Sequence, residues 1–182
     1  MALLEVKDLS IHFGGVKAVQ NVSFSIDAGI VYAVIGPNGA GKTTLFNLIT
    51  GIYTPTTGSI SLDGESIGGK APDELARRGM ARTFQNLQIC MNMSAIENVM
   101  VGAHLRLDRN LLKAALRWPA LRSRDRELRQ EAAELMRFVG LEAFENARAD
   151  SMPYGALKRL EIARALAMKP RLIFLDEPAA GL

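Results

Sequence analysis

Gly36-Pro37-Asn38-Gly39-Ala40-Gly41-Lys42-Thr43 decides the fold. It fits G-x-x-x-x-G-K-[ST] at every fixed position, and its flanks fit as well. Upstream, Val31-Tyr32-Ala33-Val34-Ile35 is a continuous apolar run, which predicts a strand buried on both faces. Downstream, Thr44-Leu45-Phe46-Asn47-Leu48-Ile49-Thr50 has helical spacing and stops at Gly51, as a helix closed by a left-handed residue does. Strand, glycine-rich turn and helix together make an anion trap. Glycines let backbone N–H groups turn inward around phosphate oxygens, and the helix adds the positive end of its dipole. Lys42 is placed to meet the outer phosphates, and Thr43 to bring a hydroxyl to Mg²⁺. A βα turn that binds nothing has no use for the Lys-Thr pair. These residues point to a bound nucleoside triphosphate.

Composition sets the frame around that loop. The 182 residues are 48% hydrophobic and 23% charged, which suits one globular domain with a proper core. No uninterrupted apolar run approaches the length of a bilayer span, and the N-terminus has no signal-peptide pattern. Work at a membrane would therefore need other subunits to do the spanning. The lone cysteine, Cys90, cannot pair within the chain and fits a reduced setting as a small packing residue. The net charge of +3 is uneven: residues 106–129 hold eight Lys/Arg against three acids. A solvated helical face is the plainer explanation and a surface near anionic lipid the sharper one. Aromatic interleaving is limited to Trp118, which argues against nucleic acid as a partner.

Residues 3–10 and 21–26 alternate apolar and polar, as half-buried strands do. Between them Phe13 precedes Gly14-Gly15, and an aromatic shortly upstream of a phosphate loop suits stacking on an adenine ring. Ordinary edge packing is the alternative. Residues 59–63 read as another strand, residues 72–78 as a short helix and residues 81–84 as a brief strand leading to Gln85. Ser94-Ala95-Ile96-Glu97 is a capping box opening a helix to about residue 104, and residues 124–139 are amphipathic. Met91, Met93 and Met100 are expected mainly to fill core gaps. Met152-Pro153-Tyr154-Gly155-Ala156 leads into a helix to about residue 168.

Arg171-Leu172-Ile173-Phe174-Leu175-Asp176-Glu177-Pro178 is a densely apolar strand ending in two acids. Helix capping is one use for such acids. Beside a phosphate loop they have another: Asp176 holds Mg²⁺, usually through water, and Glu177 orients or deprotonates the water that attacks the γ-phosphate.

Taken in order, Gly36–Thr43, Gln85, the Tyr154-Gly155 segment and residues 172–177 resemble the ATP-binding cassette of ABC transporters. The likeness runs from about Leu4 to the last residue. Phe13-Gly14-Gly15, Tyr154-Gly155, residues 160–166 and residues 177–182 are most similar to the ATPase subunits of branched-chain amino-acid importers. The resemblance implies an α/β P-loop fold with a RecA-like core, an N-terminal antiparallel β subdomain and an inserted helical subdomain. The core lobe would comprise residues 1–87 and 153–182, and the helical lobe residues 88–152. Phe13 would stack on adenine, and Gly36, Pro37, Asn38, Gly39, Ala40, Gly41, Lys42, Thr43 and Thr44 would cradle the phosphates. Lys42, Gln85 and Glu177 would serve catalysis, and Thr43, Gln85 and Asp176 would serve Mg²⁺. Tyr154 and Gly155, in the signature segment 152–156, would cap ATP held by a second ABC subunit of a homo- or heterodimer. Transmembrane permeases, and through them a substrate-binding protein, would be the further partners. The chain would then sit peripherally on the cytoplasmic face of the inner or plasma membrane.

Two departures qualify the likeness. Pro153 stands where the family usually has serine, removing a hydroxyl and a backbone N–H, a loss of about 1.5–3 kcal/mol if it costs one bond to a charged group. The chain also ends at Leu182, before the strand and γ-phosphate histidine that relatives carry, and neither His12 nor His104 substitutes for it. The expectation is a truncated version of a longer chain, lacking the strand between the phosphate-loop strand and the Asp176 strand. Alternative functions are a cassette for lipopolysaccharide or urea, a soluble non-transport ABC ATPase, and a nucleotide-binding fragment without turnover.

Overall fold

The computed structural model describes residues 2–106 and 119–178. Contacts divide the chain into two compact units, residues 1–80 and 81–182.

The first unit is built on an antiparallel sheet of order β2-β1-β3-β4. Strands β1 (Ala2–Phe13) and β2 (Val16–Asp27) form a hairpin closed by Gly14-Gly15, with Phe13 opposite Val16. A two-residue loop needs positive φ, which Gly14 supplies at 56°. β3 (Thr57–Leu62) pairs with the other side of β1, and β4 (Glu65–Ser66) extends it. Leu4, Val6, Leu9 and Ile60 are almost fully buried, and a register shift between Val6 and Leu9 interrupts the strict alternation read in the sequence. Helix α1 (Lys42–Ile49) buries Leu45, Leu48 and Ile49. Gly51 follows it at φ 76°, where a Cβ would lie 2.2 Å from the Lys70 carbonyl oxygen. Helix α2 (Pro72–Arg77) starts on Pro72, whose missing N–H costs nothing in a first turn.

One expected strand does not form. Residues 31–35 make no ladder; Val31 is 98% exposed and Ile35 91% exposed. A doubly buried strand needs partners along its edges and layers over both faces, and among the described residues no strand pairs with this run. Tyr32 stacks on Phe24 of β2 at 5.5 Å and 10° between planes, which ties the segment to the sheet without making it part of one.

The second unit contains a two-stranded sheet of β5 (Met80–Arg82) and β6 (Leu172–Phe174), and a helical cluster of α3 (Ala95–Gly102), α4 (Pro119–Phe138) and α5 (Tyr154–Leu166). Ser94 opens α3 with the expected capping box: its hydroxyl accepts from the Glu97 N–H, and the Glu97 carboxylate accepts from the Ser94 N–H at 2.8 Å. Ile96, Val99, Met136, Leu141 and Leu160 form the dry centre between these helices. Gly102 is the contact point of α3 and α5, since a Cβ there would lie 2.0 Å from the Arg164 carbonyl oxygen. Met100 packs against this core as expected, whereas Met91 is 41% exposed. In the basic stretch, Arg106 forms a two-toothed pair with Glu131 at 2.7 and 3.2 Å, and Arg129 reaches Asn146. Arg109, Lys113, Arg117 and Trp118 lie outside the described residues, as do residues 179–182. Among the described residues no helix is long and apolar enough to cross a membrane.

Candidate active site

The phosphate loop belongs to the first unit. Gly41 is the N-cap of α1 at φ 87°, a left-handed backbone that favours glycine. A Cβ at Gly41 would meet the Ala18 carbonyl oxygen at 2.4 Å, so the loop is pressed against the chain behind it. Gly39 is also left-handed, at φ 82°. No side chain caps α1, its first turn holds no acid, and its first helical bond is from Leu45 N–H to the Gly41 carbonyl at 2.8 Å. The amides of Lys42, Thr43 and Thr44 therefore precede the helical ladder, as donors for an anion. Lys42 Nζ donates to the Gly36 and Pro37 carbonyls at 2.8 and 2.9 Å, which holds its charge over the loop. Gly36, Pro37, Asn38, Ala40 and the exposed Thr43 complete the turn, with Ala40 N–H donating to the Pro37 carbonyl. Phe13 ends β1 and is 45% exposed. Its ring meets Tyr53 edge-on at 5.2 Å, a neighbour the sequence reading missed.

Asp176, Gln85, Tyr154 and Gly155 belong to the second unit. Thr83 ties the acid-bearing strand to β5: its N–H donates to the Phe174 carbonyl at 2.9 Å, and its hydroxyl accepts from Asp176 N–H at 3.2 Å. Arg82 Nη2 donates to Asp176 Oδ2 at 3.2 Å, with side chains only 7% and 12% exposed. The same guanidinium lies 4.9 Å from the centre of the Phe84 ring. A carboxylate this deep needs a cation, and here Arg82 provides one. Glu177 follows in the left-handed region at φ 48°, an uncommon place for a glutamate, and is exposed. Gln85 is exposed, and its carbonyl accepts from Lys158 Nζ at 2.9 Å. Pro153 caps α5 without a side-chain hydrogen bond, and its carbonyl accepts from Ala156 and Leu157 N–H at 2.9 and 3.0 Å. The amides of Tyr154 and Gly155 thus stand ahead of the first helical bonds, so the proline leaves two donors at this helix start.

Arg82, Thr83 and Lys158 were not among the residues singled out from sequence. Their signal was faint: two polar residues in a short strand otherwise apolar, and a lysine whose burial only packing reveals.

The loop's uncapped amides and its lysine fit polyphosphate. Magnesium takes hard oxygen ligands, commonly one or two from protein with the remainder from phosphate and water. The Thr43 hydroxyl and the Asp176 carboxylate are each hard oxygen donors of the kind such an ion takes. Among the described residues no three His, Cys, Asp or Glu gather into a cage, and a magnesium held with substrate phosphates does not require one.

A family profile described as ABC transporter matches residues 19–180. The chain belongs to the ABC transporter ATP-binding family. It is 46% identical over 180 residues to the high-affinity branched-chain amino acid transport ATP-binding protein BraF of Pseudomonas aeruginosa, covering 99% of this chain and 71% of that one. It is 41% identical to the corresponding LivG of Escherichia coli K12, with the same coverage. Among solved structures it is similar to the ADP conformation of MJ1267, an ATP-binding cassette of an ABC transporter, with a TM-score of 0.82 and 34% identity. That match covers 100% of this chain and 71% of the cassette. Similarity extends to cbiO1 of Clostridium perfringens, part of the ABC transporter complex cbiONQ, at a TM-score of 0.81, 28% identity and 67% of that chain.

Proposed function

We propose that this ABC cassette binds and hydrolyses ATP to power passage of branched-chain amino acids through separate permease subunits. The observation that carries it is the uncapped, glycine-built start of α1 under Lys42, joined to the 46% identity with BraF. In this reading Phe13 stacks on adenine, and the turn from Gly36 to Thr44 holds the phosphates. Thr43, Gln85 and Asp176 hold Mg²⁺, which when bound screens the phosphate charge and orients the phosphoryl group. Glu177 accepts a proton from the attacking water. Tyr154 and Gly155 offer their free amides to ATP on a second cassette, homo- or heterodimeric. Residues 1–87 and 153–182 act as the nucleotide-binding lobe and residues 88–152 as the helical lobe toward the permeases. The chain works on the cytoplasmic face of the membrane, and a substrate-binding protein reaches it only through the permeases.

Glu177→Gln tests the catalytic assignment. Turnover falls at least about 100-fold, the order general-base catalysis supplies, while ATP affinity stays within twofold. A variant that hydrolyses ATP at the unaltered rate removes Glu177 from the reaction.

A further inference from the structure

We infer that Lys158 is a positioning residue that mounts the Gln85 segment on the signature helix α5. Three side chains spaced three apart on α5 grip one short stretch of backbone. Lys158 Nζ donates to the Gln85 carbonyl at 2.9 Å and to the Phe84 carbonyl at 3.5 Å. Glu161 Oε1 accepts from Gln88 N–H at 3.4 Å, and Arg164 Nη1 donates to the Gln88 carbonyl. Residues at this spacing are neighbours on a helix surface, so residues 84–88 lie along one stripe of α5.

Burial gives these contacts their weight. Lys158 is 4% exposed and Glu161 3% exposed, and ionisable groups are almost never that deep unless satisfied. Packing alone would be met by apolar side chains, as Leu157 and Leu160 show on the same helix. What the buried charges add is direction: a lysine over two successive carbonyls fixes the height and turn of the chain that carries Gln85. The Lys158 ammonium also sits 5.9 Å from the centre of the Tyr154 ring, so one side chain touches both the Gln85 backbone and the first residue of α5. On the far side of the segment, Thr83 and Arg82 hold Asp176. Gln85 therefore lies on a chain anchored at one end to the metal-site carboxylate and at the other to the signature helix. A displacement of α5 is carried to Gln85 through Lys158.

The role given to Gln85 rests on the proposed function; the mount itself does not. Amide hydrogen exchange on the chain without nucleotide tests the mount. In Lys158→Met, the Gln88 amide, which donates to Glu161 Oε1, exchanges at least tenfold faster, while residues 95–102 of α3 and 42–49 of α1 keep their rates. Lys158→Arg, which retains a cation over the carbonyls, restores most of the protection. Arg164→Met gives a smaller acceleration at the same amide, and serves if Lys158→Met fails to fold. Unchanged exchange at the Gln88 amide, or acceleration spread equally over α3, overturns the mount. In the same samples ATP affinity stays within twofold of the parent. A parent chain that binds no ATP contradicts the proposed function instead.

Discussion

Gly41 and Glu131 show how much single residues carry. Gly41 is left-handed and has the Ala18 carbonyl 2.4 Å from where a Cβ would stand. Gly41→Ala costs about 1–2 kcal/mol if it stays left-handed, and relieving the clash with the Ala18 carbonyl oxygen shifts the turn and tilts the amides that start α1. The expected outcome is at least a tenfold loss in nucleotide affinity with a lower melting temperature; an unchanged affinity would show that the turn does not hold the phosphates. Glu131 accepts from Arg106 and from Lys169, and these bonds, Arg106 first, pull its pKa from 4.5 down to about 2. A depressed carboxylate pKa stabilises the fold above the unfolded value, and that stabilisation is lost as pH falls from about 5 toward 2. With its side chain 37% exposed, solvent screening keeps the effect to at most about 1 kcal/mol. In urea titrations, Glu131→Gln should therefore lower the midpoint at pH 7, with the gap shrinking below about pH 5 and closing only at about pH 2 and below. A gap that stays constant with pH would assign the loss to packing.

At the scale of elements, helices were more legible than the central strand. The Ser94 box, the Pro72 start and the Gly51 stop are local chemistry, and each stands where its residues put it. The run at residues 31–35 carries no such local instruction. Its burial depends on segments elsewhere in the fold, and Val31 and Ile35 stand exposed although burial would favour them. The phosphate loop was legible because glycine and lysine spacing is itself the site. The mounts behind Asp176 and Gln85 were not, since they depend on which residues of distant segments meet. Gly102 is a case of the same kind: an unremarked glycine that lets α3 touch α5, with the Arg164 carbonyl 2.0 Å from a hypothetical Cβ. Gly102→Ala should force the helices apart and cost about 1–3 kcal/mol, as overpacking typically does, read as a lower urea midpoint. A neutral substitution would mean the two helices separate freely.

Across the whole molecule, the chain divides into a β-rich unit with the phosphate loop and a helical unit with the acid-bearing strand, Gln85 and the signature turn. The first unit supplies amides, the Lys42 ammonium and the Thr43 hydroxyl, and the second supplies the Asp176 carboxylate. We propose that both sets of groups act on one nucleotide. Equilibrium binding of a fluorescent ATP analogue, with and without Mg²⁺, to the parent chain, Lys42→Ala and Asp176→Asn tests this most directly. Lys42→Ala should lose at least tenfold in affinity whether or not the metal is present, and Asp176→Asn should lose only the increment that Mg²⁺ confers. Asp176→Asn retaining the full magnesium increment, or Lys42→Ala binding as tightly as the parent, would contradict the account.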